Sequence, residues 1–93
     1  MKQFTISIVA FVATASTAQS ACFADYKAKQ DDPLRLHYGV AEVSGDCTAE
    51  NATTQLPERI AGDDWQLLTV LGVFEDAGLD ERRDSAGDYY LRY

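Results

Sequence analysis

Apolar and polar positions alternate over residues 34–43. Leu34, Leu36, Tyr38 and Val40 interleave with Arg35, His37, Gly39 and Ala41. Period 2 over this length predicts a strand with one buried face, here the face of the leucines, Tyr38 and Val40. Residues 48–61 switch period. Ala49, Ala52, Leu56 and Ile60 recur at three- and four-residue spacing, the stripe of an amphipathic helix. Asp46 or Thr48 is placed to cap its start, and Gly62 stands where a helix-ending glycine belongs. Pro57 interrupts the pattern. Either the helix kinks there, or it begins near Thr54 with Pro57 in its first turn.

Residues 65–74 are the most apolar stretch after residue 21. Trp65, Leu67, Leu71 and Val73 lie on one parity, Leu68, Val70 and Phe74 on the other. A strand apolar on both sides is usually covered on both sides. Residues 75–88 form a charged loop with room for a turn of helix at 80–84, and 89–93 read as a closing aromatic strand. Residues 23–32 read as a polar lead-in carrying Phe23 and Tyr26. A short helix over 24–30 would be ended by Asp31-Asp32-Pro33. The expected class is α+β: a three-stranded sheet in the order strand-helix-strand-strand, one covering helix, and an N-terminal segment tied down by a disulfide. Either that segment or a second copy of the chain would cover the other sheet face.

The first residues change how the rest is counted. Lys2 precedes an apolar stretch from Phe4 to Ala15, and small and polar residues follow to Ala21. This is the layout of a secretory signal peptide, and the apolar run is shorter than the about 20 residues a membrane span needs. The expectation is a signal at 1–20 and one small domain at 21–93, periplasmic or secreted. Ser16/Ala18 and Ala18/Ser20 both suit the cleavage enzyme. A lipid anchor at Cys22 would want an aliphatic residue where Gln19 stands.

Setting Lys2 aside leaves 7 basic against 15 acidic side chains, a net charge of −8. That balance argues against binding nucleic acid, whose phosphates need Lys and Arg. It argues equally against an anionic membrane surface. Cys22 and Cys47 are the only cysteines. In an oxidising compartment they are expected to form a disulfide that staples a domain too small to rely on its core alone.

Gly62-Asp63-Asp64-Trp65-Gln66-Leu67-Leu68, with the terminal Tyr89-Tyr90-Leu91-Arg92-Tyr93, resembles a family of short bacterial domains of unknown function. Their mark is a Gly-Trp-Glu-Leu-Val-like stretch after a helix, with a closing aromatic strand. The likeness spans about residues 34–93 and implies a strand-helix-strand-strand arrangement, without any chemistry. Asp64 departs from it, standing before the Trp where Gly is usual, and the 75–88 loop is longer. Residues 22–40 also resemble small exported bacterial proteins of no assigned role.

Candidate chemistry is sparse. His37 is the only histidine. It falls beside Arg35 on the polar side of its strand, with no nucleophile near it in sequence, so a solvent-facing role is expected. Asp76, Asp80, Asp84 and Asp88 recur every four residues, with Glu75 and Glu81 nearby. The spacing does not match a calcium loop, whose acids fall at every second position. Asp63-Asp64 reads as a polar turn before a buried aromatic, and Tyr89, Tyr90 and Tyr93 as core and rim. Asn51-Ala52-Thr53 is a glycosylation sequon in form only. No catalytic, cofactor-binding or metal-ligating residue is assigned. The expected role is a non-enzymatic interaction module that self-associates through its sheet as a homodimer. The alternative is a small-ligand or cation binder using the acidic 75–88 loop.

Overall fold

A computed structural model of the chain describes residues 21–93, so the export signal expected at 1–20 lies outside the described residues. Three strands form one antiparallel sheet: β1 (Cys22–Gln30), β2 (Arg35–Val43) and β3 (Gln66–Phe74). The strand order is β2-β1-β3. Helix α1 (Ala49–Ala61) connects β2 to β3, and a short helix α2 (Asp80–Ala86) follows β3. Both outer strands run antiparallel to β1, so they are parallel to one another with β1 between them.

The expected class holds: a three-stranded α+β sheet, a covering helix, and an N-terminal segment tied by Cys22–Cys47. Two elements differ. Residues 22–30 are the central strand, not a helical lead-in. Ala24, Tyr26 and Ala28 alternate with Asp25, Lys27 and Lys29, and the small or aromatic set is fully buried. At the other end, residues 89–93 are not a sheet strand. Gly87–Tyr89 is a 3-10 turn, and a single bridge joins Tyr90 to Val40. The Leu91 N–H then donates to the Val40 carbonyl at 2.8 Å.

Helix α1 starts at Ala49 and runs through Pro57. Thr48 is its cap, its hydroxyl accepting from the Asn51 N–H at 3.1 Å. Ala52, Leu56 and Ile60 are buried against the sheet. Together with Cys22, Ala24, Tyr26, Ala28, Ala41, Val43 and Trp65 they form the main core. Burial of this stripe outweighs the hydrogen bond that Pro57 removes. Gly62 follows the helix with right-handed φ −60. The left-handed residue is Asp64, φ 65, which explains why a glycine suits that position better.

Val40 is buried as the alternation predicts, but the earlier part of β2 buries the opposite side. His37, Gly39, Ala41 and Val43 are buried on the α1 side, whereas Leu36 is 66% exposed. The reason is volume. Tyr26 pairs with Gly39 across the ladder, and a Cβ on residue 39 would meet the Tyr26 hydroxyl at 2.5 Å. Only the small side of β2 leaves room for Tyr26.

β3 carries two bulges. Tyr26 pairs with Val70 while Asp25 pairs with Gly72, skipping Leu71. Ala28 pairs with Leu67 while Lys27 pairs with Thr69, skipping Leu68. Each bulge inserts one residue, so Leu67, Val70 and Val73 all pack against the main core. The second side of the sheet holds a smaller cluster of Phe23, Val40 and Ala86, with Phe74, Leu79 and Tyr90. Arg82 clamps α2 there. Its Nε donates to Asp25 at 3.2 Å and its guanidinium lies 3.9 Å from the Phe74 ring.

Two outcomes follow for stability. Gly39→Ala is expected to cost about 1–3 kcal/mol in denaturant melts, because the buried Tyr26 ring has nowhere to retreat. Reduction of Cys22–Cys47, which closes a loop of sequence separation 25, is expected to cost about 3.5 kcal/mol on the chain-entropy account. Matched melts with and without reductant measure it, and identical midpoints would refute it.

Candidate functional site

Three places gather side chains beyond the needs of the core. The first surrounds His37. Its ring is 7% exposed, not solvent-facing as its strand position suggests. Tyr89 stacks on it at 3.7 Å, Trp65 meets it edge-on at 4.1 Å and Tyr26 edge-on at 5.3 Å. Nε2 shares a hydrogen with the Tyr26 hydroxyl at 3.0 Å, and Nδ1 has no partner. Burial, and then the charge of Arg92, lower its pKa to about 4. The Arg35 guanidinium sits over the Trp65 ring. The Tyr93 hydroxyl donates to Asp63 at 2.8 Å, and Arg59 donates to the Tyr93 carbonyl. A neutral imidazole sealed among aromatics serves here as a fastener for the chain end.

The second place is the acidic stretch 75–88. Its carboxylates do not converge. Asp80 lies 3.5 Å from Arg83 and Glu81 lies 2.7 Å from Arg82. Among the described residues no group of three or more His, Cys, Asp or Glu is placed to hold a metal ion. The groove between α2 and the sheet is lined by Lys27, Tyr38, Leu71, Glu81, Arg82 and Ser85, a mixture of both charges.

The third place is the half of the second sheet face that α2 leaves bare. Leu36 of β2 is 66% exposed, and the two bulge residues Leu68 and Leu71 are each 50% exposed. All three surround Lys27 and Tyr38. A hollow of about 220 Å³ lies among Lys27, Leu36, Tyr38 and Leu68. Leu71 lines the neighbouring groove beside Lys27 and Tyr38. Tyr38 is fixed by donating to Asp25 at 3.0 Å. Burial, followed by that carboxylate, pushes its phenol up to about 12. Exposed apolar side chains clustered in this way mark contact surfaces more often than catalytic ones.

Sequence patterning missed the leucine cluster because strict alternation puts Leu68 and Leu71 on opposite sides of a flat strand. Only the bulges bring them together. The missed burial of His37 had a signal in Gly39 and Ala41, too small to fill a core by themselves. The remaining aromatics fall as expected. Trp65 is buried behind the Asp63-Asp64 turn, Tyr89 and Tyr93 pack on the main core, and Tyr90 packs on the smaller cluster. The Asn51 amide is engaged, donating to Ser44 and Asp46 carbonyls at 2.7 and 2.8 Å.

The His37 environment has a pH consequence. Its folded pKa lies below the unfolded value of 6.5. Between those values the unfolded chain binds a proton that the folded chain refuses, so stability falls as pH drops from about 6.5 towards 4. The His37 contribution is about 3 kcal/mol. Chemical melts from neutral to mildly acid pH measure the slope, and His37→Phe is expected to remove this component. A wild-type slope unchanged in the variant would refute the assignment.

No family model, no curated protein and no solved structure matches the chain.

Proposed function

We propose that this chain is an exported, non-enzymatic interaction module that self-associates through the bare half of its sheet. The observation that carries the reading is the cluster of Leu36, Leu68 and Leu71, turned to one side and left uncovered. Two bulges are spent on aiming leucines outward, in a domain with little apolar surface to spare. A second copy suits this patch by charge. Lys27 stands within it, and Glu81, paired with Arg82, lines the neighbouring groove, so each copy carries charges of both signs for a two-fold contact. Export is supported by the leader pattern of residues 1–20 and by a disulfide compatible with an oxidising compartment. The burial of the only histidine among aromatics favours a contact role over catalysis.

Sedimentation velocity on residues 21–93 is the direct test. A concentration-dependent monomer–dimer equilibrium is expected. Leu36→Glu is expected to shift it to monomer with little change in melting, since the side chain is exposed. A strict monomer at high micromolar concentration overturns the reading.

A further inference from the structure

A groove of about 610 Å³ lies on the other side of the molecule, between α1 and β3. Ala49, Thr53, Pro57 and Ala61 form one wall. Leu67, Leu68, Thr69 and Val70 form the other, with Trp65 at its end. No charged side chain lines it, although a quarter of the chain is charged.

Two features of its backbone set it apart from a plain apolar cleft. β3 is an edge strand, and among the described residues no strand pairs with its outer side. That edge has no charge and no proline in its 9 residues, so it lacks the usual residues that guard a free edge. The facing wall contains Pro57 inside the helix. Proline has no N–H, so the Thr53 carbonyl one turn earlier lacks its usual donor. The β3 edge therefore offers unpaired backbone groups, and the α1 wall holds a carbonyl without its usual helical donor.

We infer that this groove binds an extended segment of a partner polypeptide, apolar along its middle and basic at its ends, laid against the outer edge of β3. Strand addition of this kind takes its affinity from main-chain hydrogen bonds and its specificity from side-chain pockets. The two bulges limit how long a regular ladder can run, so side chains reaching the α1 wall must supply part of the binding. Charge selects the occupant. The exposed Glu50 follows Ala49 at one end and the exposed Asp64 precedes Trp65 at the other, while the Asp63 carboxylate is held by the Tyr93 hydroxyl. A second copy fits poorly. Antiparallel pairing of two β3 strands brings Asp63-Asp64 of each copy towards Glu75-Asp76 of the other, acid against acid. The groove shares Leu68 with the leucine patch, but Thr53, Pro57 and Val70 belong to the groove alone, and the inference does not depend on the patch.

The test is titration of labelled residues 21–93 with the synthetic peptide Lys-Val-Thr-Val-Thr-Val-Lys, followed by amide NMR shifts. Saturable shifts are expected at Thr53 and at Leu67 to Val70, with none at Leu36. The same peptide with Glu in place of Lys is expected to bind about tenfold more weakly. Pro57→Ala restores the helical donor to Thr53, so it is expected to raise the melting temperature yet weaken peptide binding. Thr53→Arg, on the exposed wall, is expected to fold and to block the groove. Three outcomes overturn the inference. One is the absence of saturable shifts with the Lys-ended peptide, and another is equal binding of the two peptides. The third is shifts at Thr53 and Val70 that track protein concentration without peptide, which would make a second copy the occupant of the groove.

Discussion

The fold depends on where the ring of Tyr26 is allowed to go. It is fully buried on the central strand and lies across Gly39, too close for any side chain there. That contact decides which side of β2 faces the helix. It also brings His37 to the same side, where its Nε2 meets the Tyr26 hydroxyl. The imidazole in turn is the surface on which Tyr89 stacks. A single phenol thus couples the hairpin of β1 and β2 to the chain end, linking residues distant in sequence through one packed column.

The parts of this arrangement that were legible in the sequence are those fixed by local chemistry. The stripe of Ala52, Leu56 and Ile60 and the cap at Thr48 need only their own turn of helix. The cysteine pair needed only a count and a compartment. The parts that were not legible are set by long-range volume. β1 looked like a lead-in because its buried positions are mostly alanine, which carries a weak hydrophobic signal. β2 was credited with one buried side, that of the leucines and Val40; Val40 is indeed buried, but packing against Tyr26 also buries the side of the small residues and leaves Leu36 exposed. In β3 the alternation was real but interrupted, and bulges leave little trace in a run of uniformly apolar side chains.

The same bulges explain how so short a strand serves two surfaces. Leu67, Val70 and Val73 complete the core under α1, while Leu68 and Leu71 are set outward beside Lys27. α2 covers only part of that second side, because Arg82 anchors it at Asp25 and Phe74, towards one end of the sheet. Ala86 and Leu79 seat α2 on the same cluster, so the rest of that side is left bare. The sites proposed for contact, the leucine patch and the α1–β3 groove, meet at Leu68, which lines both hollows.

The edge-on packing of Trp65 against His37 at 4.1 Å gives the molecule an optical gauge of its own condition. Trp65 is the only indole in the chain, so its emission comes from one place alone. A neutral imidazole beside an indole leaves that emission largely intact, whereas a protonated one draws it down. Detachment of the last residues would carry the Tyr89 ring away, admit water and shift the emission to longer wavelength. Brightness and colour therefore report two different events, the charge on His37 and the docking of the chain end, without any label being added.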